Sequence, residues 1–237
     1  MKAISSLILI ITFANNATFA EEVPKFKRLK LTDKFYAEGA SAGNFNDDGK
    51  MDIVSGPYWY AGPDFTQRHE IYDTKEFKPK GYAPNFNTWA YDINGDGWDD
   101  VIRVTHPGQK VFWHENPKGK GPWKPHVAMD SLENESPQFT DVTGDGLPDM
   151  VGSVAGQFVY FTFKKEKATE KWTRHNISPP KSTGGRYTHG LGVGDVNGDG
   201  KMDVLDKDHW WMQPDSLDGD PLWKEYRFQF TGPGGAD

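Results

Sequence analysis

The sequence predicts an all-β fold, a β-propeller of four-stranded blades, and three observations lead to this prediction. A nine-residue motif occurs four times, starting at residues 44, 92, 141 and 195, so the repeat is about as long as a propeller blade. Aromatic residues make up 14% of the chain, and 26 Gly and 16 Pro supply frequent turns between short strands. Helical repeats fit poorly, because no apolar stripe of helical period runs between the Pro and Gly residues.

Each repeat is predicted to contain a first strand, the motif loop, a second strand, an aromatic third strand and a fourth strand. The aromatic strand is evident at Trp59-Tyr60 and Trp210-Trp211, and the fourth strand has the pattern W-x-x-H or W-x-x-Y, as at Trp123. Because the elements keep one order, each repeat is a structural unit whose sheet must stack on its neighbours. The repeats lie near residues 34–72, 82–129, 135–178 and 186–229, within a propeller domain of residues 21–237.

Residues 1–20 have the pattern of a secretory signal peptide. Lys2 provides the positive start, the run from Leu7 to Phe13 is apolar, and small residues precede a cleavage site after Ala20. The alternative is a buried strand or helix. No second apolar run has the length of a membrane span, so we expect a secreted, periplasmic or cell-envelope protein whose mature chain has no transmembrane segment.

Charge and cysteine content exclude several classes of function. The formal net charge is −7, which disfavours a nucleic-acid partner, since such proteins carry a basic surface. The chain contains no Cys, so it has no disulfide framework, no thiolate zinc site and no Cys nucleophile.

The repeated motif places an oxygen-bearing side chain at positions 1, 3 and 5, Gly at position 6 and Asp at position 9. The residues at positions 1, 3, 5 and 9 are Asn44, Asn46, Asp48 and Asp52; Asp92, Asn94, Asp96 and Asp100; Asp141, Thr143, Asp145 and Asp149; and Asp195, Asn197, Asp199 and Asp203. Hard cations prefer such oxygen ligands, and a tight turn brings alternate side chains to one centre. The motif therefore predicts up to four Ca²⁺ ions, weakest in the first loop, which carries only two of these carboxylates.

The motif has two other interpretations, an EF-hand and a simple turn. An EF-hand is excluded, because position 12 is never Glu and no helices flank the loop. Simple Asp/Asn/Gly turns remain the alternative, although a plain turn does not require Asp at position 9. Thr143 and Pro148 set the third loop apart from the other copies.

The pattern D-x-N-x-D-G-x-x-D, followed by two apolar residues, resembles the FG-GAP/VCBS repeat of integrin-α N-terminal-like propellers. The stretch from Thr188 to Trp211 is similar to secreted FG-GAP-like proteins of environmental bacteria. The resemblance implies a calcium-binding propeller that serves as a binding or adhesion module and is sometimes fused to catalytic domains. It also implies more blades than four repeats supply, commonly about seven.

The number of outer strands predicts an incomplete ring. Residues 25–31 match the fourth-strand pattern, so five strands of this kind accompany four motif loops. We therefore expect a further repeat to begin after Tyr226, with residues 231–237 as its entry. The alternative is a closed four-bladed ring with a spare terminal strand.

A candidate ligand site comes from the position six residues before each motif, which is occupied by Glu38, Phe86, Glu135 and His189. These residues are expected at the opposite end of the first strands from the loops, around a central funnel, because such a strand spans about 20 Å. With Asn87 and Arg186 nearby, the predicted ligand-binding residues are Glu38, Asn87, Glu135, Arg186 and His189.

The partner expected at this funnel is a glycan or a cell-envelope protein. One alternative is a solvated loop without a ligand. Another is a polysaccharide lyase or hydrolase, which would use Glu38, Glu135 or His189 as acid and base and would need paired carboxylates.

Three further features have a structural interpretation. Ser41 lies in a G-x-S-x-G pattern, but a motif loop rather than a helix follows it, so no nucleophile elbow is expected. His126 and His175 occupy fourth strands, where we expect packing or hydrogen bonding. The two aromatic pairs of the third strands are either sugar-stacking surfaces or parts of the core between sheets.

Overall fold

The structure of the protein is a computed structural model that describes residues 25–232. The chain divides into two compact units, Met1–Lys30 and Leu31–Asp237. Of the first unit only residues 25–30 are described; they are irregular and exposed, and the predicted signal peptide lies outside the described residues.

The described part of the second unit consists of fifteen strands and one short 3₁₀ turn at Lys165–Lys167. The strands are β1 Ala40–Gly43, β2 Asp52–Ser55, β3 Tyr58–Tyr60, β4 Arg68–Glu70, β5 Asn87–Tyr91, β6 Asp100–Val104, β7 Gln109–Glu115, β8 Lys124–Thr140, β9 Asp149–Val154, β10 Gln157–Thr162, β11 Thr173–Asn176, β12 Gly192–Gly194, β13 Asp203–Leu205, β14 His209–Met212 and β15 Lys224–Arg227. The predicted all-β class is confirmed. Within residues 25–232, no helix has the length and apolar character needed to cross a membrane.

Each repeat forms a four-stranded antiparallel meander. The first and fourth repeats form separate sheets, β1-β2-β3-β4 and β12-β13-β14-β15. The second and third share a seven-stranded sheet, because β8 pairs with β7 through residues 124–132 and with β9 through residues 133–140. Strand β8 is thus both the fourth strand of the second repeat and the first strand of the third.

A cross-strand stack of two rings joins the third and fourth strands of every repeat. The ring centroids lie between 4.1 and 4.6 Å apart, and the residues face each other directly in the strand register. The pairs are Trp59–His69, Trp113–His126, Tyr160–His175 and Trp210–Tyr226. Such pairs stabilise neighbouring strands, so the predicted packing role of His126 and His175 is confirmed.

The core consists of three clusters, each lying between the meanders of consecutive repeats. Phe45, Trp59 and Trp123 belong to the first of them, and the other two lie between the second and third and between the third and fourth repeats. Trp59 and Trp211 are buried, so the aromatic pairs serve mainly as core. Burial of these aromatic surfaces holds the repeats together in chain order; their arrangement as a ring stays a prediction.

One predicted strand is absent from the structure. Residues 25–31 are irregular, with Phe26 91% exposed and Leu29 48% exposed. The alternation of Lys and apolar residues resembles a strand, but a strand forms only where a sheet edge offers hydrogen-bond partners. The prediction of a fifth outer strand was therefore wrong, although the observed sheets, with one four-stranded meander for each repeat, still fit an incomplete set of blades.

Candidate metal loops and ligand cavity

The four motif loops connect the first and second strands of each repeat and share one backbone conformation. Gly at position 6 has φ between 76° and 88° in all four copies. Position 4 also has positive φ and is Gly in three copies, whereas Asp47 adopts φ 56° in the first. This left-handed backbone disfavours other residue types. The Gly at position 4 in three motifs is a further sequence signal for this conformation, in addition to the Gly at position 6.

The Asp at position 9 is buried in every loop and accepts backbone hydrogen bonds. Asp52 Oδ2 accepts the N–H of Phe45 at 2.8 Å, and its Oδ1 accepts the N–H of Gly62 at 2.8 Å. Asp100 and Asp203 make the same two bonds, to the second motif residue and to the residue that follows the third strand. In these three repeats the Asp at position 9 thus connects the loop to the end of the third strand. This connection explains why Asp occupies position 9, whereas a plain turn does not require Asp there.

Burial has an electrostatic cost at these carboxylates. It raises the pKa of Asp100 to about 7 and that of Asp149 to about 6, and it also raises the pKa of Asp203. The loop carboxylates Asp96 and Asp92 add to the rise at Asp100, because negative charges close together disfavour ionisation. A cation near the loop would remove part of this cost.

The side chain at position 5 of every loop, and the one at position 1 of the second, third and fourth loops, accepts backbone hydrogen bonds from its own loop. In the fourth loop, Asp195 accepts the N–H groups of Gly198 at 2.7 Å and Gly200 at 2.9 Å, and Asp199 accepts the N–H of Lys201 at 2.9 Å. The third loop repeats this pattern around Asp141. Each loop therefore displays the oxygens of positions 1, 3 and 5 on one short turn.

Lysines contact the carboxylates of two loops. In the second loop, Lys118 Nζ lies 3.1 Å from Asp96 and Lys165 Nζ lies 3.6 Å from Asp92. In the fourth loop, Lys201 Nζ lies 3.8 Å from Asp199. These ammonium groups would compete with a divalent cation.

The donor set fits a hard cation, since it consists of carboxylate, amide and hydroxyl oxygens. In addition, Asn44 Oδ1, at position 1 of the first loop, is buried without a hydrogen-bond partner. Within residues 25–232, only Asp206, Asp208 and His209 form a group of three His, Asp or Glu side chains whose ligand atoms lie within 4.8 Å of one another. The motif loops thus offer a mixed set of oxygens rather than three converging carboxylates.

A cavity of about 650 Å³ lies beyond the other end of the first strands and brings together three of the predicted ligand-binding residues, Glu135, Arg186 and His189. Its complete lining is Tyr82, Phe86, His106, Pro107, Gln109, Glu135, Arg186, Tyr187 and His189. Cavities that bind small molecules have this order of volume.

One wall of the cavity is aromatic. The rings of Tyr82 and Phe86 are stacked with centroids 5.8 Å apart, and His106 packs against Phe86 at 5.2 Å. Tyr82 is 69% exposed and Tyr187 is 62% exposed. Exposed rings of this size beside a cavity are typical of a binding surface rather than a core.

The charged wall is positioned by β8. Its backbone turns at Asn134, which has φ 79°. The Asn134 N–H then donates to the carbonyl of Arg186 at 2.9 Å, and the Glu135 N–H to that of Thr188 at 2.8 Å. This pairing fixes residues 186–189 beside Glu135, where His189 Nε2 lies 3.1 Å from Glu135 Oε2.

The other two predicted ligand-binding residues do not line this cavity. Glu38 accepts the N–H of Ala83 at 3.0 Å, and Asn87 packs its backbone against Gly39. Sequence reasoning missed Tyr82, His106 and Tyr187. They lie in connections between strands, at positions that the motif and the strand patterns do not cover. Ser41 lies within β1 and is not at a strand-to-helix turn, in agreement with the rejection of a nucleophile elbow.

A second cavity, of about 480 Å³, lies beside the loops of the first two repeats. Its lining includes Phe45 and Trp59, which belong to the core cluster between the first two repeats and are buried. Its lining also includes the exposed His69 and the half-buried Trp98, but it contains none of the predicted ligand-binding residues.

Comparison with known proteins gives one family match. The family model described as FG-GAP-like repeat matches residues 92–152 and 141–205. No curated protein matches the chain. Among solved structures, an Agrocybe aegerita lectin described as recognising non-reducing terminal N-acetylglucosamine is 19% identical, with a TM-score of 0.46 over 69% of this chain. The match covers 45% of the lectin chain, and a similarity of this size does not define the fold.

Proposed function

The chain is an FG-GAP repeat protein, and we propose that it acts as an exported, calcium-stabilised module that binds carbohydrate. The observation that carries this proposal is the larger cavity, in which exposed aromatic rings lie beside Glu135, Arg186 and His189. Sugar rings have apolar faces and polar edges, so they suit a site with aromatic surfaces and a few convergent polar groups.

Calcium is proposed for the motif loops, with up to four ions. The residues that would hold it are those at positions 1, 3 and 5, while the Asp at position 9 orients the loop through its backbone hydrogen bonds. The buried, unpartnered Asn44 Oδ1 supports an oxygen-seeking ligand in the first loop. The cation would supply positive charge to loops that otherwise concentrate carboxylates.

The hydrolase alternative has less support. Glycoside hydrolysis generally requires two carboxyl groups about 5 to 10 Å apart. Glu135 is the single carboxylate among the residues that line the cavity, and Glu38, the other predicted carboxylate, accepts the N–H of Ala83 instead of lining it. Binding without bond cleavage is therefore the function that we propose.

A glycan array followed by calorimetry tests the proposal. The parent should retain a defined set of glycans, and Tyr82→Ala should weaken their binding about tenfold or more, since an aromatic contact and its buried area are lost. The matched control is Phe228→Ala, which removes a ring that is 59% exposed and does not line the cavity. Both variants should melt like the parent in calcium. Retention of no glycan, or equal loss in the control variant, would contradict the proposed site.

A further inference from the structure

We propose that the cavity selects carbohydrates that carry a carboxylate, and that Arg186 makes this selection. The inference rests on the proposed function and names its ligand class. Among the polar groups that line the cavity, Glu135 Oε2 and His189 Nε2 lie 3.1 Å apart, and they form an ion pair when the imidazole is protonated. Arg186 has no ion pair or side-chain hydrogen bond to any residue in the described part of the chain.

None of the arginines in the described part of the chain forms an ion pair, and Arg186 is the one among them that lines this cavity. Acidic residues outnumber basic ones, 34 to 27, so carboxylate partners are plentiful on the surface. Glu135, the only acidic residue among those that line the cavity, lies beside His189 and forms no ion pair with Arg186. Arg186 therefore presents to the cavity a guanidinium that has no ion-pair partner among the described residues, and an anionic ligand group would pair with it.

The backbone positions Arg186 for this role. Its carbonyl accepts the N–H of Asn134 at 2.9 Å, which ties it to β8. The guanidinium lies against Gly108, where an added Cβ would stand 3.2 Å from Arg186 Cζ. Gly108 has φ 81° and donates its N–H to the Leu132 carbonyl at 2.7 Å, so this turn is itself held by β8. A glycine here leaves room for the flat guanidinium beside the backbone.

The chemistry of the two walls defines the ligand class. A guanidinium fork matches a planar carboxylate through two parallel hydrogen bonds, better than it matches a tetrahedral sulfate. The rings of Tyr82 and Tyr187 face the same cavity and would take the apolar faces of sugar rings. A uronic acid residue within an oligosaccharide combines both features.

The test compares two probes by calorimetry in calcium, an oligogalacturonate and its methyl ester, which replaces each carboxylate charge with a neutral methyl ester group. The parent should bind the acid about tenfold more tightly than the ester, the difference expected for one charge-assisted contact. Arg186→Gln should bring the affinities for the acid and the ester within about twofold of each other, because the charge-assisted contact is lost. Arg186→Lys should keep part of the preference, because it retains charge but loses the planar fork.

The control is Arg227→Gln, which removes an exposed guanidinium on β15, outside this cavity. It should bind both probes like the parent. Equal affinity of the parent for acid and ester, or a stronger preference for a sulfated oligosaccharide, overturns the inference while carbohydrate binding stands. If no carbohydrate binds and Tyr82→Ala changes nothing, the proposed function fails and the inference falls with it.

Discussion

The Asp at position 9 can be tested as a structural residue in the first loop, where Asp52 is fully buried. Asp52→Ala would leave the N–H groups of Phe45 and Gly62 without their acceptor, both now bonded at 2.8 Å. A buried polar group without a partner costs about 1–3 kcal/mol, so the two together should lower the free energy of unfolding by about 2–6 kcal/mol. That is a large share of the roughly 5–15 kcal/mol by which a domain is stable.

The measurement is urea denaturation in EDTA, so that calcium makes no contribution. The matched control is Asp48→Ala in the same loop, an exposed residue that accepts only the Lys50 N–H at 2.9 Å. It should cost less than about 1 kcal/mol in EDTA but remove a calcium ligand. If Asp52→Ala does not fold, Asp52→Asn serves instead; it keeps one acceptor and should lose about half as much.

The reasoning would be refuted by the opposite pattern. Asp52→Ala would then unfold at the urea concentration of the parent in EDTA and lose stability only when calcium is present. In that case the Asp at position 9 would act mainly as a metal ligand, and its backbone hydrogen bonds would contribute little to the free energy of unfolding.

Three other perturbations follow from the loops and the core. Asp199→Ala should remove one calcium site in calorimetry and leave the others, because repeats couple mainly to their neighbours; loss of all sites would contradict this. Lys165→Met should tighten calcium binding in the second loop, since this ammonium lies 3.6 Å from Asp92; unchanged calorimetric affinity would argue against competition. Burial lowers the pKa of His114 from 6.5 to about 3. The unfolded chain therefore binds this proton more tightly than the folded chain, so the contribution of His114 to the free energy of unfolding is fully present above pH 6.5 and is lost as the pH falls toward 3. The loss is about 2 kcal/mol between pH 7 and pH 5. His114→Phe should abolish that share of the acid sensitivity in urea denaturation at each pH, and an unaltered pH dependence would contradict it.

The repeat pattern predicted the fold well where turn residues separate the elements. Pro79, Gly81 and Pro84 precede the second repeat, and Pro179, Pro180, Gly184 and Gly185 precede the fourth. Between Asp130 and Glu133 there is no Gly or Pro, and here β8 continues from one repeat into the next. The predicted break between residues 129 and 135 is therefore a bend within one strand.

The ligand cavity was harder to predict because only part of it follows the repeat. Glu135 and His189 occupy equivalent positions before their motifs, so their convergence could be inferred from spacing. Tyr82, His106 and Tyr187 lie in connections of different length, where no periodicity relates one repeat to another. Their placement depends on how the sheets pack, which a sequence pattern does not specify.

Comparison of equivalent positions separates residues of the fold from residues of the site. The Asp at position 9 is the same in all four repeats, and in three of them it bonds the same two backbone groups, because every loop meets the same structural demand. By contrast, the position six residues before the motif holds three different residue types, at Glu38, Phe86, Glu135 and His189. Three of these four residues line one cavity, so their differences would give the proposed ligand site an asymmetric set of contacts.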